Sequence, residues 1–428
     1  MKAGMRVLVI GATGLIGSHV ARALRAAGCD VTGASRRRPA GTAQDGWIAL
    51  DFGRLTTAQD WLPLLGGFDA VVNCVGIIRE ANEGDFDRLH RAAPVAVFAA
   101  CEQLQVRRVV QVSALGSHPE AATGYWRSKG AAEVDLLARR LDAAIIRPSL
   151  VYGEDGASSV MFRMLATLPM LMMPVAHRAL VQPIHVEDLA AIVARLVTMP
   201  DAPPRELAVV GPRATTMAGY LADLRRGMQA PAGLVLELPL PVARAVAQVA
   251  ALVPSSALTP ESLQMLEHSA DGSNTADAAP AQALLGRPLQ DPAHFARPAQ
   301  RIVAAWSWGA QLVTVAMAVM WLITAYVSWF AWPHADSLAW LAACGVPPTW
   351  QTPLLLGASV ADAAIGVLLL LRPRRWLWAA QLALVGGYTA MLSIFLPDFW
   401  LHPFGPLSKN LPLLAVMALM WRASDKKE

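Results

Sequence analysis

The sequence predicts an α/β domain, built on a doubly wound parallel sheet with a small second lobe, followed by an all-α transmembrane four-helix bundle. Over the first 150 residues, short apolar runs alternate with helical stretches, which is typical of a parallel sheet. Charge then almost disappears: between residues 303 and 371 the only acids or bases, histidine aside, are Asp336 and Asp362, and eleven of the 14 tryptophans follow residue 305.

The composition excludes several classes of protein. Of the 428 residues 55% are hydrophobic and 16% are charged, which argues against a disordered chain. The net charge of +4 is dispersed, so we expect no nucleic-acid partner. The four cysteines show no metal-ligand spacing, and we expect no metal site.

Composition also sets the domain boundaries. We place the α/β domain at residues 1–297, with its second lobe starting near residue 150. A linker follows at 298–305, because the preceding stretch is rich in proline. The membrane domain then covers 306–421, and a tail covers 422–428.

The first strand, turn and helix have the order that a dinucleotide site requires. Met5–Ile10 predicts a buried strand and Ser18–Ala27 a helix, with the sequence GATGLIG between them. Glycines let the backbone approach a pyrophosphate, and the helix amino-terminus offers N–H groups. An ordinary βα turn is the alternative. The predicted cofactor contacts in this turn are Gly11, Thr13, Gly14, Leu15, Ile16 and Gly17.

The end of the second strand bears on the choice of cofactor. Asp30–Ala34 predicts this strand, and three arginines follow Ser35. An acid at such a position would bind the 2′-hydroxyl of NAD, whereas arginine favours the 2′-phosphate of NADP. Arg36 and Arg37 therefore predict NADP(H) rather than NAD(H). A solvated basic loop is the alternative.

A serine, a tyrosine and a lysine form the predicted catalytic group. Ser113 follows a predicted strand, and Tyr125 and Lys129 are spaced to share one helix face. A lysine ammonium beside a phenol is expected to lower the pKa of the phenol, so that Tyr125 can exchange a proton with a carbonyl or hydroxyl oxygen. Ser113 can hold the same oxygen. A chance match is the alternative for a Tyr–Lys pair taken alone.

Four segments together resemble the extended or atypical short-chain dehydrogenase/reductase superfamily: 11–17 (GATGLIG), the Tyr125/Lys129 pair, 147–153 (RPSLVYG) and 182–190 (QPIHVEDLA). The similarity is greatest to the subgroup with the reductase-like accessory subunit of respiratory complex I, and it covers about residues 5–297. It implies a Rossmann-type fold, NAD(P) at the three glycines, Tyr125 as acid/base and Lys129 at the nicotinamide ribose.

The same resemblance implies roles for other residues. Ser113 would orient the substrate, and His90 stands where the superfamily often has an asparagine. Because the subgroup includes proteins that bind cofactor without known turnover, the resemblance supports binding better than catalysis. The remaining predicted cofactor contacts are Asp51, near the adenine, Pro148, near the nicotinamide amide, and Val75 and Gly76.

Two apolar stretches mark the second lobe. Residues 158–174 contain five methionines, which suit an adaptable apolar contact or, alternatively, a plain core. Residues 234–253 are apolar but are interrupted by Glu237 and two prolines. We expect a strand and a buried or surface-lying helix there rather than a membrane span.

The carboxy-terminal part predicts membrane spans at 306–332, 353–371 and 376–396. A fourth, at 411–421, is short, so a re-entrant segment is the alternative. Arginine and lysine are confined to alternate connections, which places the soluble domain and the carboxy-terminus in the cytoplasm of a bacterial-type cytoplasmic membrane. The segments 357–362 (GASVAD) and 402–412 (HPFGPLSKNLP) resemble the DoxX-like family.

One acid and one base lie inside these predicted spans. At about 1.5 Å of rise per residue, Asp362 and Lys409 differ in depth by only ~5 Å, and an ionisable group at that depth needs a partner. We therefore predict a contact between them. Snorkelling of Lys409 to the membrane surface is the alternative.

These observations predict a membrane-anchored NADP(H)-dependent oxidoreductase acting on a lipophilic carbonyl or quinone-like substrate. An epimerase or dehydratase of the same superfamily is an alternative. Another is a non-catalytic NAD(P)-binding scaffold or redox sensor, with a membrane complex as its partner. The expected contacts are thus a lipophilic small molecule or quinone, the lipid bilayer and, for the scaffold, that complex.

Overall fold

The computed structural model describes residues 4–41, 46–252 and 258–424. The chain divides into two compact units, residues 1–304 and 305–428. The predicted tail residues Lys426 and Lys427 lie outside the described residues.

The first unit contains the predicted parallel sheet. It has seven strands in the order β11-β6-β5-β4-β1-β2-β3, and every neighbouring pair is parallel. The chain leaves β1 towards β2 and returns on its other side at β4, so the order reverses between β1 and β4, which is where such sheets bind ligands. The strands are β1 Arg6–Ile10, β2 Asp30–Ser35, β3 Trp47–Ala49, β4 Ala70–Asn73, β5 Arg108–Val112, β6 Ala143–Pro148 and β11 Glu206–Val209.

Helices cover both faces of this sheet. Alternate residues of β1 belong to different cores: Val7 and Val9 pack on one face, Leu8 and Ile10 on the other. All four are buried, which explains why the central strands are apolar throughout. The helices of the unit are α1 Leu15–Ala26, α2 Ala58–Leu65, α3 Ala93–Gln103, α4 Gly124–Ala138, α5 Ala157–Thr167, α6 Val186–Thr198, α7 Met217–Gly227, α8 Leu240–Ala250, α9 Pro260–His268 and α10 Ala279–Leu285.

The second lobe contains three two-stranded sheets: β7 with β10, β9 with β12, and β8 with β13. Residues 180–185 contribute to two of them, and between β9 and β10 the side-chain amide of Gln182 donates to Gly211 O at 2.8 Å. The stretch 234–253 forms a strand and then a helix, as expected. The strands are β7 Val151–Tyr152, β8 Met170–Met173, β9 Leu180–Val181, β10 Ile184–His185, β12 Thr215–Thr216 and β13 Leu234–Glu237.

The second unit is helical. Within the described residues three helical segments are long and apolar enough to cross a membrane: Gln300–Ala331, Pro348–Leu371 and Arg375–Phe395. The fourth apolar helix has only 14 residues, so four spans are not confirmed. The first segment begins at Gln300, within the predicted linker. The helices are α11 Gln300–Tyr326, α12 His334–Ala343, α13 Pro348–Leu371, α14 Arg375–Phe395 and α15 Asn410–Ala423.

Small and polar residues hold these helices together. A Cβ at Gly366 of α13 would lie 3.0 Å from Ala318 O of α11, so glycine permits the close approach of the two helices. Trp321 Nε1 of α11 donates a hydrogen bond of 2.8 Å to Gln381 Oε1 of α14. This bond satisfies a buried donor and acceptor in an apolar core.

The predicted contact between Asp362 and Lys409 is wrong. Asp362 is buried in α13 and its Oδ1 has no hydrogen-bond partner among the described residues. Lys409 is exposed and precedes α15, which begins only at Asn410. Lys409 therefore lies at the end of its helix rather than along it, as in the snorkelling alternative.

Candidate functional site

The turn after β1 fits the phosphates of a dinucleotide. Gly11 has φ 80°, and its N–H donates to Ala34 O of β2 at 2.9 Å. A Cβ at Gly17 would lie 2.3 Å from Gly11 O, so only glycine lets α1 pack this closely on the turn. Gly14 begins α1, and no side chain caps this helix end. Its first N–H groups and positive dipole are therefore available to an anion.

The predicted adenosine contacts lie at the neighbouring strand ends. Arg36 and Arg37 are exposed immediately after β2, and the Ser35 hydroxyl donates to Arg37 O at 2.8 Å. Asp51 follows β3, which pairs with β2, and its carboxylate makes a 3.3 Å ion pair with Arg54. The edge beyond β2 is thus predominantly basic. Arg54 was not predicted from the sequence to lie at this edge.

The predicted catalytic tyrosine lies in the first turn of α4. Thr123 caps the start of this helix, with its Oγ1 accepting from Trp126 N–H. Tyr125 is half-buried and Lys129, one turn later, is buried. Lys129 Nζ lies 5.6 Å from the centre of the Tyr125 ring and donates to Val112 O at 3.3 Å. The lysine therefore bridges the helix and the end of β5.

The electrostatics of this pair differ from expectation. Burial raises the pKa of Tyr125 to about 12, the opposite of the expected lowering. The reason is geometric: the ammonium lies over the ring and is directed at Val112 O. Burial also lowers the pKa of Lys129 to about 8, while the Glu133 carboxylate acts to raise it. At neutral pH Tyr125 is protonated and Lys129 charged.

Gly76 leaves space in front of these groups. A Cβ at Gly76 would lie 3.4 Å from Lys129 Nζ and 3.7 Å from His90 Nε2. Val75, before it, donates its N–H to Asn73 Oδ1 at the end of β4. The segment 75–76 thus passes close to both Lys129 and His90.

His90 connects this segment to the catalytic helix. Its Nε2 accepts from Ile77 N–H at 3.0 Å, and its Nδ1 lies 3.0 Å from Ser128 Oγ. Ser128 in turn donates to Tyr125 O at 3.0 Å. Because Nε2 accepts, Nδ1 carries the proton and donates to Ser128. Burial first, then the Lys129 charge, lowers the pKa of His90 to about 3, so the ring is neutral.

Ser113 and Pro148 lie at the ends of adjacent strands. Ser113 N–H donates to Ile146 O of β6 at 2.7 Å, and Leu115 N–H donates to Pro148 O at 2.9 Å. The Ser113 hydroxyl is buried and donates to Ser117 Oγ at 3.3 Å. It is therefore directed at a protein hydroxyl in this structure.

Two residues of the site were not predicted from the sequence. Glu261 of α9 accepts from Tyr125 N–H at 3.0 Å, across 136 positions. Asn274 accepts from the Ser149 hydroxyl at 3.0 Å, across 125 positions. The second lobe thus holds both the start of the catalytic helix and the residue after Pro148. Neither residue has a local sequence signal, because both act through contacts formed only on folding.

Comparison with known proteins supports this description. Residues 7–211 match the NAD dependent epimerase/dehydratase family, and residues 318–418 match the DoxX-like family. A ceramide reductase of Caulobacter vibrioides is 30% identical over 188 residues, which are 43% of this chain and 58% of that protein. Subunit 9 of the mitochondrial NADH dehydrogenase (ubiquinone) 1 alpha subcomplex of Rattus norvegicus is 25% identical over 224 residues, 49% of this chain and 57% of that protein.

The chain thus spans less than two thirds of the length of these two relatives. Among solved structures, the NADPH-dependent quinone oxidoreductase of Escherichia coli, complexed with NADPH, has a TM-score of 0.53 at 17% identity, covering 68% of this chain and 97% of that one. At this identity the likeness shows the fold. Residues 7–211 therefore form an NAD-dependent domain similar to the epimerase/dehydratase family, and residues 318–418 form a DoxX-like domain.

Proposed function

We propose that the chain is a membrane-anchored NADP(H)-dependent oxidoreductase that reduces a lipophilic carbonyl or quinone-like substrate. The observation that carries this proposal is the position of Tyr125 next to a buried Lys129, which reaches the end of β5 in the parallel sheet. When bound, the nicotinamide would supply or accept hydride.

Each group then has a distinct task. The Tyr125 hydroxyl, with its pKa raised to about 12, donates its proton to the substrate oxygen as hydride reaches the carbonyl carbon. The charge of Lys129 stabilises the phenolate that is left and positions the cofactor ribose. The Gly76 segment provides the surface for the nicotinamide ring, and Ser113 turns from Ser117 to the substrate oxygen.

The preference for NADP(H) rests on Arg36 and Arg37, which are exposed where the 2′-phosphate would lie. Replacing both with alanine should weaken NADPH binding at least ~10-fold and leave NADH binding nearly unchanged, because only the charge–charge interaction is lost. Titration calorimetry on the full chain measures both affinities. Arg22→Ala, at an exposed arginine that pairs with Glu187, is the control. Equal losses for the two cofactors would contradict the assignment.

The substrate class rests on the membrane anchor and on the relatives. One relative is named a ceramide reductase, whose substrate by that name is a lipid, and a fold neighbour is named a quinone oxidoreductase. A chain with apolar spans would keep its active domain near such compounds. The alternate basic connections further favour a bacterial-type cytoplasmic membrane with the catalytic domain in the cytoplasm.

Two other functions are also supported by similarities to known proteins. The matching family is named for epimerases and dehydratases, which makes a sugar-nucleotide reaction with the same tyrosine the second candidate. The similarity to a subunit of mitochondrial NADH dehydrogenase favours a nucleotide-binding scaffold or redox sensor of a membrane complex. Such a scaffold would bind NAD(P) tightly and turn nothing over.

The deciding experiment uses the full chain in lipid nanodiscs. NADPH oxidation is followed with a panel of quinones and long-chain ketones, and epimerisation with nucleotide sugars. Tyr125→Phe should lower kcat by about 10²–10⁴-fold, with little change in NADPH affinity, because only the proton transfer is removed. Tyr326→Phe, at an exposed tyrosine of α11, is the matched control. Tight binding without turnover across the panel would overturn the proposal in favour of the scaffold.

A further inference from the structure

The second lobe exposes an apolar ribbon. Strands β8 and β13 pair in parallel, with Met170 opposite Leu234 and Met172 opposite Leu236. These four side chains point outward, and Met170 and Leu234 are more than half exposed, at 57% and 55%. The ribbon therefore presents a continuous patch of methionine and leucine.

The inner face of the ribbon is apolar as well. Leu171 and Met173 alternate with the exposed methionines and pack on the core of the lobe. A strand with one face in water normally alternates apolar and polar residues. Because both faces of this ribbon are apolar, the outer face is suited to an apolar environment rather than to water.

Helix α8 follows β13 in the chain and exposes a second set of apolar side chains. Val242, Val246 and Val249 form a stripe at helical spacing, and all three are exposed. The opposite side buries Ala243 and Ala247. The larger apolar side chains thus face outward and the smaller ones inward, the reverse of a water-facing helix. We call the four ribbon side chains and the three valines the apolar face.

The start of the first candidate span lies close to this face. Arg301, in the first turn of α11, donates to Gln229 O at 2.8 Å, and Gln229 shortly precedes β13. The polypeptide that enters the apolar segment Gln300–Ala331 is therefore attached beside the ribbon. Within the first unit, the connection to that segment therefore begins beside the ribbon.

Arginines border the ribbon at both ends. Arg225 donates to Ala166 O and Leu168 O, just before β8. At the other end Arg178 lies 3.9 Å from the Glu237 carboxylate and is largely exposed. Cations around an apolar surface suit lipid phosphates around acyl chains, which is the pattern of interfacial membrane contacts.

The segment after the apolar face leads to the candidate active site. Ala251 O, at the end of α8, accepts from Arg79 at 2.9 Å, in the loop after β4. Farther along, Glu261 of α9 accepts from Tyr125 N–H. The described residues before and after 253–257 therefore contact the loop after β4 and the first turn of α4, respectively.

We propose that the apolar face lies in the headgroup region of the bilayer, and that a lipid-soluble substrate passes along α8 from the membrane to Tyr125. The membrane contact is inferred from the geometry of the lobe alone. The substrate route rests on the proposed function. If the route exists, the substrates are compounds that dissolve in the bilayer.

The contact is tested with the full chain in phosphatidylcholine nanodiscs containing nitroxide-labelled lipid. A bimane label is placed at Met172→Cys or Val246→Cys, in a Cys344→Ser background. The control is Val134→Cys, which replaces an exposed valine of α4. Since interfacial apolar faces enter the bilayer by ~5–10 Å, we expect lipid nitroxide to quench the first two labels at least about threefold more than the control.

Two results would overturn the membrane contact. One is quenching at 172 and 246 no greater than at 134. The other is a label shielded from both lipid nitroxide and aqueous iodide, which would indicate a protein on the apolar face. If the labelled variants show the quenching and wild-type protein shows no turnover, the proposed function is removed and the membrane contact stays in place.

The substrate route has its own test. Val246→Asp should raise KM for a long-chain substrate several-fold and leave KM for a short, water-soluble analogue and the NADPH affinity unchanged. Val134→Asp is the matched control. Equal effects on both substrates, or none on either, would overturn the route.

Discussion

Lys129 carries its charge in a site that disfavours charge. Burial lowers its pKa to about 8, and the Glu133 carboxylate, one turn further along α4, opposes that shift. Glu133 is itself buried and is held by Arg147. The acid therefore sets the upper pH limit at which the lysine remains an ammonium.

A pH profile tests this coupling. Lys129 is charged below its pKa and neutral above it, so kcat/KM for carbonyl reduction should be level at lower pH and fall above about pH 8. Glu133→Gln should move this alkaline limb to lower pH, because it removes the carboxylate that favours the ammonium. Glu206→Gln removes the other carboxylate paired with Arg147 and should leave the limb in place. Identical profiles for the two variants would contradict the role of Glu133.

His90 acts as a neutral bridge between two segments of the site. It accepts from Ile77 N–H, and its other nitrogen lies next to Ser128, which holds Tyr125 O. His90→Ala leaves the Ile77 N–H unpaired, which should cost about 1–3 kcal/mol of unfolding free energy and lower kcat. His90→Asn can accept and donate, and should recover most of both. Comparable losses in the two variants, measured by thermal unfolding and turnover, would remove the bridging role.

The same histidine predicts a dependence of stability on acid. Its pKa is about 3 in the fold and 6.5 in its ordinary state, so between these values the unfolded chain binds more protons. The stabilisation is complete above pH 6.5 and decreases as the pH falls towards 3, by up to about 1.4 kcal/mol per pH unit. As the pH falls through this window, the thermal unfolding midpoint of wild type should therefore decrease relative to that of His90→Asn. Parallel curves would show that His90 becomes charged in the fold.

At the scale of elements, the β1 turn and α1 act as one unit. Gly17 allows α1 to lie against Gly11 O, which directs the helix amino-terminus at the cofactor phosphates. Gly17→Ala should destabilise the domain by about 1–3 kcal/mol, because the added methyl group forces the helix and turn apart. NADPH affinity should fall with it, as measured by calorimetry.

Gly66→Ala is the matched control for this change. Gly66 ends α2 with a φ of −57°, and no atom outside its immediate neighbours lies within 4 Å of the position of an added Cβ. Stability and NADPH affinity should therefore stay close to wild type. If Gly17→Ala behaved in the same way, the packing role of Gly17 would be refuted.

At the scale of the whole molecule, the membrane topology can be read from a natural cysteine. Cys344 is half-exposed and lies between α12 and α13, in a connection without lysine or arginine, which we place outside the cytoplasm. In intact cells a membrane-impermeant maleimide should label wild type through Cys344. Cys344→Ser/Ser424→Cys should be labelled only after lysis, because residue 424 follows a basic helix end. The opposite pattern would reverse the orientation.

The pattern of apolar residues and turns in the sequence predicted most of the secondary structure of the first unit. β1 and β2 lie within a residue of their predicted bounds, because central parallel strands are continuous apolar runs bounded by turns. The glycine turn and the Tyr125–Lys129 spacing were also recognisable, since both depend on residues within one or two turns of chain. Both family resemblances were confirmed on this local evidence.

What the sequence could not determine depends on contacts between distant residues. The pKa of Tyr125 rises rather than falls because folding buries it and directs Lys129 to Val112 O. Glu261 reaches Tyr125 across 136 positions, and folding buries Asp362 in α13 but leaves Lys409 exposed. Composition and local spacing determined which elements form and which cofactor class they bind. Only the tertiary packing decided which charges are buried, which donors face which acceptors, and which apolar side chains stay exposed.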